Sequence, residues 1–374
     1  MKSIEGFSPR AKQFRVLELL AILLIGIAAA TAHAVDTQAP QEWENPRLTG
    51  LNNQPPHATM VICPDAATAL KIRFAGNSER VKSSFYRSLN GSWKYHYSSN
   101  QLARVPDFWS TNFDDRAWGK IEVPSNVELS GHGIPIYVNY NFPWRRPWTP
   151  PFAPGDDPNN TVNAYRRAFE IPGEWSGRRV MLTFDGVNSF FDLWINGQKV
   201  GMGKDARTPV EFDLTKFVKP GTNVIAVENF RWCDGSYLED QDFWRMSGIF
   251  RDVYLWSPPE VHIRDFEVKT DLDAEFHNAK LSVNVSVTNA SAAEAAVKVE
   301  ASLMDPSGKS VGVSTIELKS PARGEYQAAA FLAAHCRLVA ENVKESKIKG
   351  AGHWLVQENT AQVQQDLLDF FMDK

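Results

Sequence analysis

The chain has 374 residues, a formal net charge of −4 and a sequence pI near 6.1, so it lacks the basic footprint of a nucleic-acid-binding protein. Its apolar content of 43% is ordinary for a globular protein, and its length is enough for two or three domains. The 12 Trp residues and 11% aromatic content favour contact with carbohydrate instead.

The first 34 residues have the pattern of a secretory signal peptide. Three basic residues between positions 10 and 15 precede an apolar run at 19–30, and AHA at 32–34 is a small-x-small cleavage site. The apolar run is short for a membrane span, although an uncleaved anchor is the alternative. We therefore predict an exported protein, periplasmic or extracellular, with no membrane association after cleavage.

The three cysteines, Cys63, Cys233 and Cys336, do not form a disulfide framework, because they are few and odd in number. They also lack the spacing of a zinc site. We interpret them as small apolar residues of the interior.

After a polar, Pro-rich opening that predicts extended chain over a surface, period-2 patterns dominate. An Asn-Gly pair predicts a hairpin within 88–97, and another at Asn196-Gly197 predicts one within 190–202. With turn signals every 8–12 residues and no amphipathic helix between them, the pattern predicts a β-sandwich over 35–258. The further predicted strands are 122–124, 165–172, 179–187, 209–217, 223–232 and 249–255.

A second β region follows the Pro258-Pro259 break. Four strands are predicted, at 261–271, 280–288, 297–304 and 311–319. A complete immunoglobulin-like sandwich needs about seven strands over about 100 residues, so 259–324 is predicted to be a partial domain.

The composition changes again over 325–374. The alanine-rich run 328–334 predicts a helix, and 359–371 has an apolar stripe at helical spacing. Between them lies GAGHWLVQEN, which resembles the last loop and helix of an α/β-hydrolase. The whole chain is therefore predicted to be all-β with a short α-containing tail of foreign origin, truncated or chimeric.

The stretch 231–255, RWCDGSYLEDQDFWRMSGIFRDVYL, interleaves aromatic rings with charges and suggests a polar site walled by packed rings. Together with VPSNVELSGHGIPIYVNYNFP and FDGVNSFFDLWINGQKVG, it resembles the N-terminal sugar-binding domain of the glycoside hydrolase family 2 β-galactosidases. The resemblance covers about 42–320. It implies a jelly roll followed by an immunoglobulin-like domain, hydrolysis of terminal non-reducing β-D-galactose residues, galactosides as partners, and an oligomer formed through family-type contacts.

Asn139 lies in a loop rich in Pro and Trp, where its amide offers a donor and an acceptor to sugar hydroxyls. From the residues alone, a turn-forming Asn is the more common role. The resemblance implies galactose contact, because the family's galactose-contacting asparagine stands in the same P-I-Y-x-N. Trp144 and Trp148 in this loop are candidates for stacking on a sugar face.

Asp205 follows Gly201 and Gly203, where small residues leave a carboxylate room to reach a pocket. A turn aspartate accepting its own backbone N–H is the ordinary alternative. The match to the family's G-x-D-x-R-x-P, which includes Arg207 and Pro209, implies that Asp205 binds galactose hydroxyls and a sodium ion.

The three carboxylates Glu239, Asp240 and Asp242 can be interpreted in two ways. Paired carboxylates cleave glycosides, but carboxylates also pair with arginine in buried networks. Since three arginines lie in the same stretch, we favour a structural role. The arginines are Arg231, Arg245 and Arg251.

In the family, the cleaving glutamates and the magnesium ligands lie on a (β/α)₈ barrel beyond the immunoglobulin-like domain. The resemblance here ends near residue 320. We therefore expect this chain to hold galactose without cleaving the bond by itself, or to serve as a noncatalytic carbohydrate-binding module.

A third hypothesis, an esterase or epoxide hydrolase, rests on the tail, where His353 matches the catalytic histidine of α/β-hydrolases. The chain has one G-x-S-x-G match, at 308–312, but Ser310 leads into a predicted strand rather than a helix. We therefore predict a hairpin turn at this position and a His353 without catalytic partners.

Overall fold

The fold is almost entirely β, as the sequence predicts. The computed structural model describes residues 41–72, 77–139, 160–239, 241–274, 278–305 and 307–332. Within these ranges no helix is long and apolar enough to cross a membrane. The predicted signal peptide lies outside the described residues.

Most of the described chain forms short antiparallel strands, and two short helices precede β2. The helices are α1 Ala66–Lys71 and α2 Asn77–Arg80. The strands are β1 Gly50–Leu51, β2 Tyr86–Ser88, β3 Gly91–Ser98, β4 Gly119–Val123, β5 Ile136–Val138, β6 Val162–Ile171, β7 Met181–Phe184, β8 Val187–Asn188, β9 Phe190–Ile195, β10 Gln198–Gly203, β11 Val210–Asp213, β12 Gly221–Phe230, β13 Phe243–Arg245, β14 Gly248–Ile249, β15 Val253–Trp256, β16 Val261–Leu272, β17 Ala279–Asn289, β18 Ala295–Met304, β19 Ser310–Ser320 and β20 Gly324–Leu332.

The first domain is a sandwich of two antiparallel sheets. The larger sheet has the order β1-β10-β9-β12-β6-β3-β4, and the smaller has the order β11-β7-β15-β2. Buried rings join the two layers: Phe191 of β9 packs on Phe184 of β7 with ring centroids 4.9 Å apart, and on Phe212 of β11 at 6.0 Å. The two packed sheets confirm the predicted β-sandwich. Burying each such ring contributes about 1.5–3 kcal/mol to its stability.

The two Asn-Gly pairs lead to different structures. Asn196 and Gly197 have φ of 51° and 82° and join β9 to β10 in the predicted hairpin. The hairpin predicted at Asn90-Gly91 is wrong, because β2 pairs with β15 in the smaller sheet and β3 pairs with β4 and β6 in the larger one. The Asn90 side chain accepts the Val253 N–H at 2.9 Å and so fixes the crossing between sheets.

The strand predicted over 249–255 is divided in two. Gly248–Ile249 pairs with β8, whereas Val253–Trp256 lies between β7 and β2 in the smaller sheet. Gly248 has φ 105°, and a Cβ there would lie 2.8 Å from Val127, so the chain turns where only glycine fits. Residues 250–252, between the two strands, are therefore outside both sheets.

The second domain contains the four predicted strands and a fifth. β16, β17 and β20 form one sheet, and β18 pairs with β19. The predicted helix at 328–334 is wrong over its described part, because 324–332 forms β20 and pairs with β17 along nine residues, from Gly324↔Asn289 to Leu332↔Leu281. Pairing along an open strand edge outweighs the helix propensity of alanine. The domain therefore continues past the predicted boundary at 324.

The hairpin predicted at Gly308–Gly312 is confirmed. The Gly308 N–H donates to the Asp305 carbonyl at 2.9 Å, and Ser310 begins β19 opposite Met304 of β18. Ser310 is thus a strand residue without the helix that a nucleophile elbow requires. His353 and the predicted helix at 359–371 lie outside the described residues.

Residues 54–62, which we call the strap, form neither helix nor strand and contact both domains. The Gln54 N–H donates to the Glu211 carbonyl of the first domain at 2.8 Å. The Ala58 N–H donates to Asp265 of the second domain at 2.7 Å, and the Arg264 guanidinium donates to the Pro55 carbonyl at 2.5 Å. The predicted extended segment therefore also links the domains.

The Glu211 carboxylate joins the elements at this junction. It accepts from Trp256 Nε1 at 3.0 Å and from Thr183 Oγ1 at 3.2 Å, and it forms an ion pair with Arg264 at 3.3 Å. His57 of the strap lies 3.4 Å away. A buried carboxylate is stable only when it is satisfied in this way.

His262, buried beside Trp256 at the same junction, gives the stability a pH dependence. Its Nδ1 lies 2.8 Å from the Pro259 carbonyl, and burial lowers the pKa of His262 from 6.5 to about 4. The folded state therefore favours neutral His262, whereas the unfolded chain takes up a proton below about pH 6.5. This contribution to stability is complete above pH 6.5 and is lost progressively as the pH falls towards 4.

We expect His262→Gln to flatten that part of the pH profile. The free energy of unfolding of the wild type, measured by urea titration between pH 4 and 7, is expected to fall by on the order of 2–3 kcal/mol more than that of the variant. His96→Gln, at a partly exposed strand position, is the control and is expected to keep the wild-type slope. Equal slopes in the His262 variant and the wild type would contradict the assignment.

Candidate functional site

The predicted galactose-binding residue Asp205 lies in the loop 204–208 between β10 and β11. The glycines before it serve packing rather than access, which corrects the sequence interpretation. A Cβ on Gly201 would lie 2.1 Å from the Leu51 carbonyl oxygen, and one on Gly203 would lie 2.6 Å from the Phe191 ring. These glycines let β1 and the core approach β10 closely.

Lys204 anchors the start of the loop through its buried side chain. Its ammonium group is buried and lies 2.8 Å from an Asp234 carboxylate oxygen. It also donates to the Asn45 carbonyl at 3.0 Å. Since a buried lysine must be paired, this anchor directs residue 204 inwards and leaves residue 205 at the surface.

Asp205 is exposed and has φ 24°. Its Oδ1 accepts the N–H groups of Arg207 and Thr208, both at 3.3 Å, and its Oδ2 accepts the Thr208 hydroxyl at 2.5 Å. This is the turn-forming role that the sequence leaves open beside sugar binding. An ionised carboxylate offers about four lone-pair positions. Three are used here, so the exposed group can accept a further donor such as a hydroxyl.

The second half of the loop is held by residues of the 231–255 stretch. The Ala206 N–H donates to Glu239 Oε1 at 2.9 Å. The Arg207 guanidinium lies 4.8 Å from the centre of the Phe243 ring and 5.2 Å from that of Phe250. Arg251 donates to the Arg207 carbonyl at 2.8 Å. The stretch that the sequence marks as central is thus the wall against which the loop is built.

Asn139 directly follows a strand that pairs with part of the 231–255 stretch. It is exposed and directly follows β5, which pairs with β13 so that Val138 lies opposite Phe243. Phe243 is the ring on which Arg207 packs. Phe243 thus contacts Arg207 of the Asp205 loop and pairs with the strand residue that precedes Asn139. Trp144 and Trp148, the predicted stacking residues, lie outside the described residues.

A small cavity opens behind the loop and agrees with the predicted polar site walled by rings. Among the lining residues that the structure describes, aromatic, cationic and amide side chains surround the Glu239 carboxylate. The lining residues are Asn188, Arg207, Trp232, Ser236, Glu239, Phe243 and Arg245.

Glu239 and Asp242, two of the three carboxylates predicted to have structural roles, accept hydrogen bonds from groups other than the three arginines. The Glu239 carboxylate accepts a hydrogen bond from the Ala206 backbone N–H. Asp242 accepts the Tyr137 hydroxyl at 2.6 Å. Asp240 lies outside the described residues.

Glu128 is the buried partner that sequence analysis misses. Its oxygens accept the Ser247 N–H and hydroxyl, both at 2.7 Å, and Arg231 Nε lies 3.5 Å from Oε1. The exposed fractions of the Glu128 and Arg231 side chains are 1% and 2%. The two residues are far apart along the chain and share no motif, so no local pattern indicates the pair.

A second cavity beside the strap is lined by two carboxylates, Asp185 and Glu211. Each is tied to an arginine: Asp185 to Arg80 at 2.8 Å, and Glu211 to Arg264 at 3.3 Å. Carboxylates held by guanidinium groups in this way form charge-assisted hydrogen bonds or ion pairs. Their arrangement is structural.

The resemblance implies that the Asp205 carboxylate is a ligand of a sodium ion. Across the described ranges no group of three or more His, Cys, Asp or Glu side chains is placed to hold a metal ion. The sodium-binding role of Asp205 therefore stays a prediction.

Two family models match the chain. "Glycosyl hydrolases family 2, sugar binding domain" matches residues 86–259, and "Glycosyl hydrolases family 2" matches residues 261–349. The boundary between them falls where β15 ends and the second domain begins. The second match also runs beyond 324, where the sequence predicts a hydrolase-like tail, and that tail stays a prediction.

Among curated proteins, the chain is similar to β-galactosidases. It is 44% identical over 249 residues to the "Beta-galactosidase" of Priestia megaterium, covering 66% of this chain and 24% of that protein. It is 37% identical over 279 residues to that of Vibrio cholerae, covering 75% of this chain and 26% of that protein. The chain thus spans about a quarter of the length of the curated relatives it matches.

Among solved structures, the fold is similar to that of β-glucuronidases. A Bacteroides uniformis β-glucuronidase 2 superimposes with a TM-score of 0.54 at 21% identity, covering 66% of this chain and 27% of the other. At this identity the likeness supports the two-sandwich fold alone.

Proposed function

Because this chain belongs to glycosyl hydrolase family 2, we propose that it is the amino-terminal portion of a β-galactosidase, which hydrolyses terminal non-reducing β-D-galactose residues. The identity of 37–44% to proteins named β-galactosidase supports this assignment over the other activities of the family. The observation that carries it within the structure is the exposed Asp205 carboxylate on a loop anchored by Lys204, Glu239 and Arg251.

In this proposal, Asp205 and Asn139 hold the sugar and do not break the bond. The Asp205 carboxylate accepts galactose hydroxyls, and the Asn139 amide donates to one and accepts from another. Retaining glycosidases need two carboxyl groups about 5–5.5 Å apart. We assign these to a part of the enzyme beyond the quarter that this chain shares with its relatives.

The expectations on location, ions and assembly follow the same proposal. The protein is exported to the periplasm or beyond, binds galactosides, and assembles through family-type contacts. A sodium ion takes one oxygen from Asp205 and the rest of its shell from elsewhere. Magnesium has no ligands assigned in this chain.

A noncatalytic carbohydrate-binding module is the second candidate, favoured by the same exposed carboxylate. The two candidates agree on the sugar contacts and differ on turnover. The esterase or epoxide hydrolase hypothesis gains nothing from the described residues, since Ser310 begins a strand.

Isothermal titration with galactose tests the proposed contacts. We expect the protein to bind galactose at millimolar concentration and Asp205→Ala to bind about tenfold more weakly, since a hydrogen bond to a charged group is worth about 1.5–3 kcal/mol. Asp305→Ala is the matched control, because Asp305 also caps a turn, accepting Ser307 and Lys309 N–H groups, in the second domain. An unchanged affinity in Asp205→Ala, or no heat from the wild type, would refute the contact.

A lactose assay on the same samples separates the two candidates from a complete enzyme. We expect no glucose release from this chain alone. Release at a rate that depends on Asp205 would place the cleaving carboxylates within the chain.

A further inference from the structure

Asp205 holds a backbone conformation that an aspartate does not favour. Its φ of 24° lies towards the left-handed region, where the Cβ of an L-residue crowds the backbone. Such residues persist only when their surroundings fix them, and they cluster at functional sites. The question for the site is which group fixes this one.

The peptide unit that follows Asp205 provides the answer. Its N–H belongs to Ala206, which is fully buried, and it donates to Glu239 Oε1 at 2.9 Å. The other anchors act on neighbouring units: Lys204 through its side chain, and Arg251 through the carbonyl of Arg207. The bond to Glu239 therefore sets the rotation between Asp205 and Ala206.

The surroundings of the Glu239 carboxylate affect its charge and therefore the strength of this hydrogen bond. It is half-buried and lines the small cavity together with Arg207 and Arg245. Burial raises the pKa of Glu239, and the nearby Asp205 acts in the same direction, whereas the Ala206 N–H and Arg207 oppose the rise. An ionised acceptor makes a shorter and stronger bond to a backbone N–H than a neutral one does.

We propose that Glu239 is a positioning residue of the sugar site: its carboxylate fixes the peptide between residues 205 and 206 and so sets the direction in which Asp205 meets galactose. The inference rests on the proposed galactose contact of Asp205. It assigns the central carboxylate of the 231–255 stretch to the geometry of the loop, neither to bond cleavage nor to arginine pairing.

Three substitutions separate the acceptor from charge and bulk. Glu239→Gln keeps an Oε1 acceptor at the same reach and is expected to bind galactose within about twofold of the wild type. Glu239→Met keeps the length without an acceptor, and Glu239→Asp keeps the charge without the reach. Both are expected to bind about tenfold more weakly. Asp305→Ala, which removes a turn-capping carboxylate of the second domain, is the matched control and is expected to bind as the wild type does.

Hydrogen exchange of the Ala206 amide, followed by NMR, gives a readout that does not depend on sugar. We expect this amide to be protected in the wild type and in Glu239→Gln, and to exchange at least about tenfold faster in Glu239→Met and Glu239→Asp. If Glu239→Met does not fold, Glu239→Asp carries both measurements.

The outcomes are distinguishable from those that test the proposed function. A wild type that binds no galactose overturns the galactose contact, and with it the sugar-site role of Glu239. A wild type that binds, with Glu239→Met equal to it, overturns the positioning role alone. Equal weakening in Glu239→Gln and Glu239→Met, or unchanged exchange at Ala206, also overturns it.

Discussion

Replacing Glu128 by alanine is expected to lower the free energy of unfolding of the first domain by about 3–5 kcal/mol. The change removes the carboxylate 3.5 Å from Arg231 Nε, and the Arg231 side chain is 98% buried. It also leaves the Ser247 N–H and hydroxyl without their acceptor. Removing one partner of a buried ion pair costs far more than the pair contributes, because the cation that remains is poorly solvated.

Urea unfolding followed by intrinsic fluorescence measures this effect. Asp114→Ala is the control, because it removes an exposed carboxylate 2.6 Å from Arg116, and we expect no measurable change from it. Glu128→Leu combined with Arg231→Met is expected to recover much of the loss, since neither charge is then buried. A Glu128→Ala midpoint equal to that of the wild type would show that Arg231 does not depend on Glu128.

Gly201→Ala is expected to destabilise the first domain by about 1–3 kcal/mol or more, through overpacking. The added Cβ would lie 2.1 Å from the Leu51 carbonyl oxygen and 2.9 Å from the Phe212 ring. The first is a backbone atom and has no rotamer with which to move away. The variant can therefore fold only by displacing β1, which pairs with β10 through Leu51↔Met202.

Gly173→Ala provides the matched control, because nothing lies within 4 Å of a Cβ at that position. We expect it to unfold at the wild-type urea concentration. The displacement of β1 can be observed directly as faster hydrogen exchange of the Leu51 and Met202 amides. A stable Gly201→Ala with protected amides would contradict the close approach.

The strands of this protein could be predicted from the sequence where the signal lies in residues adjacent along the chain. The β9–β10 hairpin is such a case, since Asn196-Gly197 supplies the positive φ that its turn needs. Asn90-Gly91 carries the same local signal but crosses between sheets, because Val253 offers its N–H from more than 160 positions away. The run 328–332 likewise becomes a strand because β17 has an edge to fill.

The candidate site divides in the same way. Asn139 and Asp205 were found through resemblance to a motif, and the structure places their loops beside Phe243. The groups that hold Asp205 cannot be predicted in this way, because a bond from a backbone N–H to Glu239 leaves no trace in composition or periodicity. The Arg231–Glu128 pair was missed for a similar reason, since the arginine's partner could not be chosen by counting charges nearby.

The strap determines how freely the two sandwiches can move. A domain joined to its neighbour by one peptide link can swing about that link. Here the second domain is also fastened by Ala58, whose bond to Asp265 spans 207 positions of the chain, and by Arg264 on Pro55. These hydrogen bonds restrict hinge motion between the two domains. The two domains are therefore expected to tumble in solution as a single rigid particle. Cleavage of the chain within the strap would therefore allow the second domain to move relative to the first.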